Sequence, residues 1–304
     1  MIHVVGAGLA GSLLALELRD LGAAVTLIDG GASETATTLS YGLMPPGPEA
    51  AWRRLQRRHG DLGLRRRWLQ QGDSGLPLPA WQIEPGLFAA RVGAVLRQAR
   101  VQQRSQHLQS PEALAGLQAQ GPVVLACGAG CRRLAPQLHA RLCCSWAGVL
   151  ELNDRGGVPA PCRWAGIALL PQRFERLELE RQAAALSQET WIVDPGLVPC
   201  GPQLLAGQIT LVRPGQDCGD EPPAAALMEQ RLRQGLAQRW PQLAAAAGRY
   251  RQAAVSFCSD GVPLAEQLDA GLWVLAGFSG AFGQLPAAAQ ALARQIAAVT
   301  TPVP

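Results

Sequence analysis

Met1-Ile2-His3-Val4-Val5-Gly6-Ala7-Gly8-Leu9-Ala10-Gly11 opens the chain, and Val25-Thr26-Leu27-Ile28-Asp29 follows. The apolar run at residues 2–5 reads as a buried strand. Glycines at G-x-G-x-x-G spacing come next, and residues 12–21 then read as a helix, with Leu13, Leu14, Leu16 and Leu18 facing the sheet. Gly22 ends that helix and a second apolar strand spans 24–28. Each part has a physical role. Gly6 permits the tight turn, Gly8 lets a pyrophosphate approach the backbone, and Gly11 lets helix and strand pack closely. The backbone amides of Leu9 and Ala10 open the helix, whose N-terminus stabilises phosphate charge. Asp29 is placed to accept hydrogen bonds from ribose hydroxyls and would repel a 2′-phosphate. Strand, helix, second strand and acid in this register predict a dinucleotide-binding βαβ unit.

Other stretches repeat this style. Residues 121–130, Gly-Pro-Val-Val-Leu-Ala-Cys-Gly-Ala-Gly, read as a buried strand ending in a glycine turn. Near the end, Leu-Trp-Val-Leu-Ala-Gly at 272–277 is a third such strand, followed by the glycine-rich loop 278–283 and an Ala-rich helix over 284–299. Uninterrupted apolar strands suggest a parallel sheet covered on both faces. Between about 137 and 253 the pattern changes to short strand candidates at 142–152, 162–170, 190–194 and 205–212, set apart by Gly and Pro, with a helix from about 223 to 239. That spacing suggests an antiparallel sheet. The expected architecture is α/β: a Rossmann-like domain of residues 1–136 and 254–304 with a discontinuous parallel sheet, and a second, mainly antiparallel substrate domain at 137–253.

The 304 residues exceed the usual single-core size, which agrees with two domains. Hydrophobic residues make up 48% and mean hydropathy is +0.07, yet no apolar run is long enough to span a bilayer. With the first strand at residue 2, no signal peptide is expected ahead of it, and the reading places the protein in the cytoplasm. Net charge is +4 and every basic side chain other than histidine is arginine. Without lysine, P-loop, Schiff-base and lysine-base chemistries are excluded. Residues 49–71 read as one helical stretch with breaks near Gly60 and Gly63, carrying Arg53, Arg54, Arg57, Arg58, Arg65, Arg66 and Arg67. It is either a solvated face over Trp52, Leu55, Leu62 and Leu69 or an anion-binding patch. No aromatics interleave with it as in a nucleic-acid groove, so no nucleic-acid partner is expected. Residues 30–48 read as a long loop and 101–108 as a strand.

The eight cysteines include no C-x-x-C pair, and with four histidines they make no metal site. The vicinal Cys143-Cys144 reads as strand packing or as a redox pair. His3 reads as a buried, hydrogen-bonded strand residue, and no nucleophile–His–acid triad is visible.

The loop Ser40-Tyr41-Gly42-Leu43-Met44-Pro45, the strand end Ala126-Cys127-Gly128-Ala129, the turn Asp260-Gly261-Val262-Pro263 and the segment Gly277-Phe278-Ser279-Gly280-Ala281-Phe282-Gly283 complete the set of motifs. Together with the opening fingerprint, their order resembles the FAD-dependent D-amino-acid oxidase and glycine oxidase superfamily, which includes sarcosine oxidases, over nearly the whole chain. The D-G-x-P turn followed by the glycine loop is the specific part. The resemblance implies non-covalent FAD. The opening fingerprint and Asp29, Ser40, Tyr41 and Gly42, Ala126, Cys127 and Gly128, and Gly277, Phe278, Gly280, Ala281, Phe282 and Gly283 would lie along it. It implies a flavin ring between the domains, hydride transfer from a CH–NH substrate to flavin N5, and oxygen or another acceptor for the electrons.

The amino-acid members of that superfamily carry an arginine five residues before the Asp of the turn, where it clamps the substrate carboxylate. Here that position is Val255. Arg251 lies on the same strand face but about 13 Å away. It is a displaced clamp or a strand-surface arginine. Tyr250 is a substrate-orienting phenol or a packing residue. The functional alternatives are therefore an FAD oxidoreductase for an amine or amino-acid-like substrate, an FAD dehydrogenase for a non-carboxylate substrate, and a flavin-binding protein without turnover.

Overall fold

The computed structural model describes residues 1–73, 75–153, 158–216 and 221–300, so Cys218 lies outside the described residues. Two sheets organise them, as the α/β expectation had it. The first contains β1 (Ile2–Val5), β2 (Val25–Asp29), β6 (Gln102–Ser105), β7 (Val123–Leu125), β13 (Leu264–Asp269) and β14 (Leu272–Ala276). Its order is β13-β14-β7-β1-β2-β6, parallel throughout except for the edge strand β13. Every residue of β1, β7 and β14 is buried, as an apolar run covered on both sides demands.

Helices α1 (Leu9–Asp20) and α10 (Ala281–Thr300) cover one face, with Leu13, Leu16, Leu285, Ala289 and Leu292 packed on Val4, Leu27, Val124 and Leu275. The other face of that sheet packs against Leu114, Leu117, Cys131, Leu134 and Leu138. Within α10, Pro286 has no N–H to give the carbonyl of Phe282, four residues back. Trp52, fully buried in α3 (Glu49–His59), fills the vacancy: its Nε1–H donates to Phe282 O at 2.7 Å, and the two rings stack at 6.4 Å.

The second sheet contains β3 (Leu43–Met44), β4 (Leu64–Gln71), β5 (Leu78–Ile83), β8 (Leu142–Leu152), β9 (Ala168–Leu170), β10 (Thr190–Cys200), β11 (Gln203–Val212) and β12 (Gly248–Cys258). Its order is β12-β8-β11-β10-β9-β4-β5-β3, antiparallel apart from the β9–β4 pair. One face is covered by Met228, Leu232 and Leu236 of a helix, Ala225–Arg239, resting on Leu150, Leu152 and Leu204. The sheet thus draws strands from 43–83 and 142–258, so the division of strands between sheets is not the division of the sequence at 137 and 253.

Several local expectations are corrected. The helix read across 49–71 stops at His59, because Gly60 and Gly63 take φ of 91° and 92°, and residues 64–71 form a strand. Arg65, Arg66 and Arg67 therefore alternate across a strand, with Arg67 bonded to Gln82 and Glu84. The strand read at 162–170 is instead a short helix, Ala160–Ala165, ended by Gly166 in the left-handed region at φ 65°, followed by β9. The strand at 101–108 shrinks to the four residues of β6, and the long loop 30–48 contains the short helix Ala36–Leu39 and β3. His3 is buried, and among the described residues neither ring nitrogen has a hydrogen-bond partner. Burial and the nearby N-terminal ammonium and Arg104 push its pKa down, so the ring stays neutral.

Candidate functional site

Strand β1 lies between β2 and β7, so the connections leave it in opposite directions and open a crevice at the carboxyl ends of the parallel strands. Such a topological switch point is where open α/β sheets bind ligands. The turns after β1, β2, β7 and β14 all end there, carrying Gly6–Gly11, Asp29, Cys127–Gly130 and Gly277–Gly283.

The three glycines of the opening motif divide their work. Gly6 has φ 110°, and a Cβ on it would lie 2.6 Å from the Ala126 carbonyl oxygen. A Cβ on Gly11 would lie 1.8 Å from the Gly6 carbonyl oxygen. Both serve the packing of the chain on itself. A Cβ on Gly8 would meet only Thr37 Oγ1, at 3.4 Å, among the described residues. Gly8 is thus not pressed against the backbone as Gly6 and Gly11 are, and a Cβ there would make only an ordinary contact. It is also the N-cap of α1, with no side-chain cap of its own and no acidic residue in the first turn. The Leu9 N–H donates to Thr37 Oγ1 at 3.0 Å, a neutral hydroxyl that leaves the positive end of the helix without a counter-charge. Asp29 is exposed at the end of β2, with Oδ1 accepting from the Gly31 N–H at 3.0 Å. These groups fit a dinucleotide's pyrophosphate and ribose.

The other residues expected along a cofactor have varied surroundings. Ser40 Oγ accepts from the Gly42 N–H, and the carbonyl of Gly42, a residue at φ 64°, accepts from the Ile83 N–H, with the Ile83 oxygen 1.9 Å from any Cβ on Gly42. Tyr41 donates its hydroxyl to the Gly207 carbonyl, and burial, with Asp194 nearby, pushes its pKa well up. Both residues tie the loop to the second sheet. Ala126 is buried, Cys127 is half-buried, and Gly128 approaches Ser256 of β12. Gly277 is pressed against Cys258, whose sulfur would be 2.3 Å from a Cβ. Phe278 and Phe282 are buried in the first core, whereas Gly280, Ala281 and Gly283 form the turn into α10, with Gly280 O accepting from Gly283 and Gln284. A second helix N-terminus thus points into the same region, again with no acid in its first turn.

At the expected substrate end the structure separates Tyr250 from Arg251. Neighbouring strand residues point to opposite faces. Tyr250 lies over Gly148 among the residues beneath the Ala225–Arg239 helix, with its hydroxyl donating to Gln252. Burial raises its pKa. Arg251 is on the face shared with Ala253 and Val255, which turns toward Leu39 and the loop after β2. Its guanidinium is taken up by two carboxylates, Glu34 at 3.1 Å and Glu151 at 3.3 Å, with Thr38 Oγ1 at 3.4 Å. Val255 is half-buried opposite Ser145 of β8.

Sequence reasoning missed a charged cluster that ties the second sheet to the glycine loop. Arg176 bonds Glu180 at 3.1 Å and the Ser279 carbonyl at 3.2 Å, and Ser279 Oγ donates to Glu180 at 2.9 Å. Asp194 of β10 accepts the backbone N–H groups of Glu175 and Arg176. Burial raises the pKa of Glu180 and of Asp194, and Arg176 opposes both shifts. The i,i+4 spacing of Arg176 and Glu180 was visible in the sequence; their meeting with Ser279 carried no signal.

Among the described residues no helix is long and apolar enough to cross a membrane. No protein-family model matches the chain, and no curated protein matches it in sequence. Solved structures do share its fold. Glycine oxidase from Bacillus cereus ATCC 14579 superposes with TM-score 0.67 at 12% identity, over 99% of this chain and 95% of that one. Iminodiacetate oxidase from Chelativorans sp. BNC1 gives 0.62 at 16% identity, over 100% and 97%. L-proline dehydrogenase from P. horikoshii gives 0.63 at 12% identity, over 100% and 94%. The fold resemblance read from the motifs is thereby borne out across the full length of the chain.

Proposed function

We propose that the chain is an FAD-dependent oxidoreductase that oxidises an amine or amino-acid-like CH–NH bond and passes the electrons to oxygen or another acceptor. The observation that carries this reading is the helix N-terminus at Gly8, which has no acidic counter-charge in its first turn, at the switch point of the sheet and beside Asp29. The shared fold adds support, because the three similar proteins are named for glycine, iminodiacetate and proline. FAD, when bound, supplies the hydride-accepting ring. The chain's part is to hold the pyrophosphate at the positive N-terminus of α1, to bind ribose through Asp29, and to offer the α10 N-terminus to a nearby negative charge. The substrate would lie between the glycine loop and the face of β12 that carries Val255. A cytoplasmic location belongs to the same reading.

A second reading narrows the substrate to one without a free carboxylate. Arg251 is committed to Glu34 and Glu151, and Val255 offers no charge. A carboxylate entering there would be desolvated without a partner, at a cost of several kcal/mol.

The test is the visible spectrum of the purified protein. A yellow protein that releases FAD on denaturation, and bleaches when mixed anaerobically with an amine, is the expected result. Gly8→Val should fold, because the protein leaves room there, yet lose the flavin, because the pyrophosphate does not. Retention of NAD and no flavin after reconstitution overturns the proposal.

A further inference from the structure

A pair of thiols at the edge of the same crevice can carry a chemistry of its own. Cys127 follows β7 and Cys131 follows the glycine turn Gly128–Gly130, and their Sγ atoms are 3.6 Å apart. A disulfide requires about 2.05 Å, so the sulfurs need to close by only about 1.5 Å. The intervening Gly-Ala-Gly has little side chain to resist that movement. The two thiols differ in access: Cys127 is half-buried and Cys131 fully buried. The hydrogen bond with Cys127, then burial, pushes the Cys131 thiol well up, which keeps it protonated until its neighbour has reacted. The vicinal Cys143 and Cys144, by contrast, are consecutive strand residues pointing to opposite faces, and both are buried.

We propose that Cys127 and Cys131 are a redox-active dithiol that exchanges with small-molecule disulfides, Cys127 attacking and Cys131 resolving. In the first step the Cys127 thiolate attacks one sulfur of the incoming disulfide and releases one thiol. In the second, Cys131 loses its proton and attacks Cys127 Sγ, releasing the other thiol and closing the Cys127–Cys131 bond. Two electrons and two protons leave the protein, and the small disulfide becomes two thiols. The exchange needs no bound cofactor, so it stands or falls apart from the flavin reading. The pair lies beside the opening motif, because the Cα of Cys127, like the Ala126 oxygen, would sit 2.6 Å from a Cβ on Gly6. The oxidised turn would abut the opening of the phosphate cradle.

The experiment treats the full chain, as purified, with oxidised glutathione, quenches it in acid, alkylates the remaining thiols and digests it with trypsin. Cleavage after Arg104 and Arg132 yields a fragment, 105–132, that contains Cys127 and Cys131 and no other cysteine. The expected fragment is unalkylated and lighter by two hydrogens, and dithiothreitol restores two alkylatable thiols. Cys131→Ser should trap glutathione on Cys127, and Cys127→Ser should leave Cys131 without an adduct. Thermal melts confirm that both variants are folded. In urea the pairing should lose its preference over the other six cysteines. A doubly alkylated fragment under conditions that modify other cysteines overturns the proposal. So does a folded Cys131→Ser protein whose Cys127 stays free of glutathione, or a pairing in urea as selective as in the native chain.

Discussion

Gly8, Asp29 and Val255 each raise a question that a single substitution answers. Among the described residues the Asp29 side chain bonds only its own turn, through Gly31, so its removal should cost the apoprotein little, within about 0.5 kcal/mol. If it holds ribose, Asp29→Ala weakens FAD binding about 10–100-fold, the equivalent of a charge-assisted hydrogen bond. Equal melting losses with and without FAD would show that Asp29 serves the turn alone. At the other end of the cleft, Val255→Arg places a guanidinium opposite Ser145, and benzoate should then bind at least tenfold more tightly than to wild type, read from flavin spectral shifts. Unchanged benzoate affinity would remove Val255 from the substrate site. The sequence displayed Gly8, Asp29 and Val255 because each belongs to a local motif. It could not display the fate of Arg251, since Glu34 and Glu151 lie 217 and 100 residues away and nothing in one sequence pairs them.

Elements carry their own tests. Helix α10 accommodates Pro286 only because Trp52 of α3 supplies the missing donor to Phe282 O. Trp52→Phe leaves that carbonyl buried without its tryptophan partner and should cost about 1–3 kcal/mol in urea unfolding. Pro286→Ala restores an N–H four residues on, so it should return part of the loss in the Trp52→Phe background while doing less in wild type. Strictly additive effects would disprove the coupling. The turn between α3 and β4 depends on Asp61, which Arg65, the Gly63 N–H and Arg91 hold well below the usual carboxylate range. A depressed folded pKa means stability that is present above the unfolded value and lost as pH falls toward the folded one. The melting-temperature gap between wild type and Asp61→Asn should be full at neutral pH and shrink below about pH 4. A gap independent of pH would assign the turn to its glycines alone. These glycines also explain why the sequence misread the segment: seven arginines spread over 53–67 look helical by composition, and only the positive φ of Gly60 and Gly63 divides helix from strand.

At the scale of the molecule, the parallel sheet was legible and the second sheet only partly so. Strands β1, β2, β7 and β14 are apolar runs ended by Gly or Asp, a pattern written in consecutive residues. The second sheet recruits β3, β4 and β5 through a parallel seam between β4 and the three residues of β9, a meeting decided by packing across about a hundred residues. The first sheet is also assembled from distant parts: β1 and α1 precede residue 21, while β14 of the same sheet and α10, which packs beside α1, come after residue 271. On a ribosome adding about 5–20 residues per second, the apolar side of α1 waits roughly 15–60 s for the helix that covers it. Throughout that interval the nascent chain presents Leu13 and Leu16 to whatever chaperones attend the exit tunnel. The glycine turn after β1 is made well before β14, the last strand of its sheet to be synthesised, so a cofactor held there as proposed would load only once β14 has emerged.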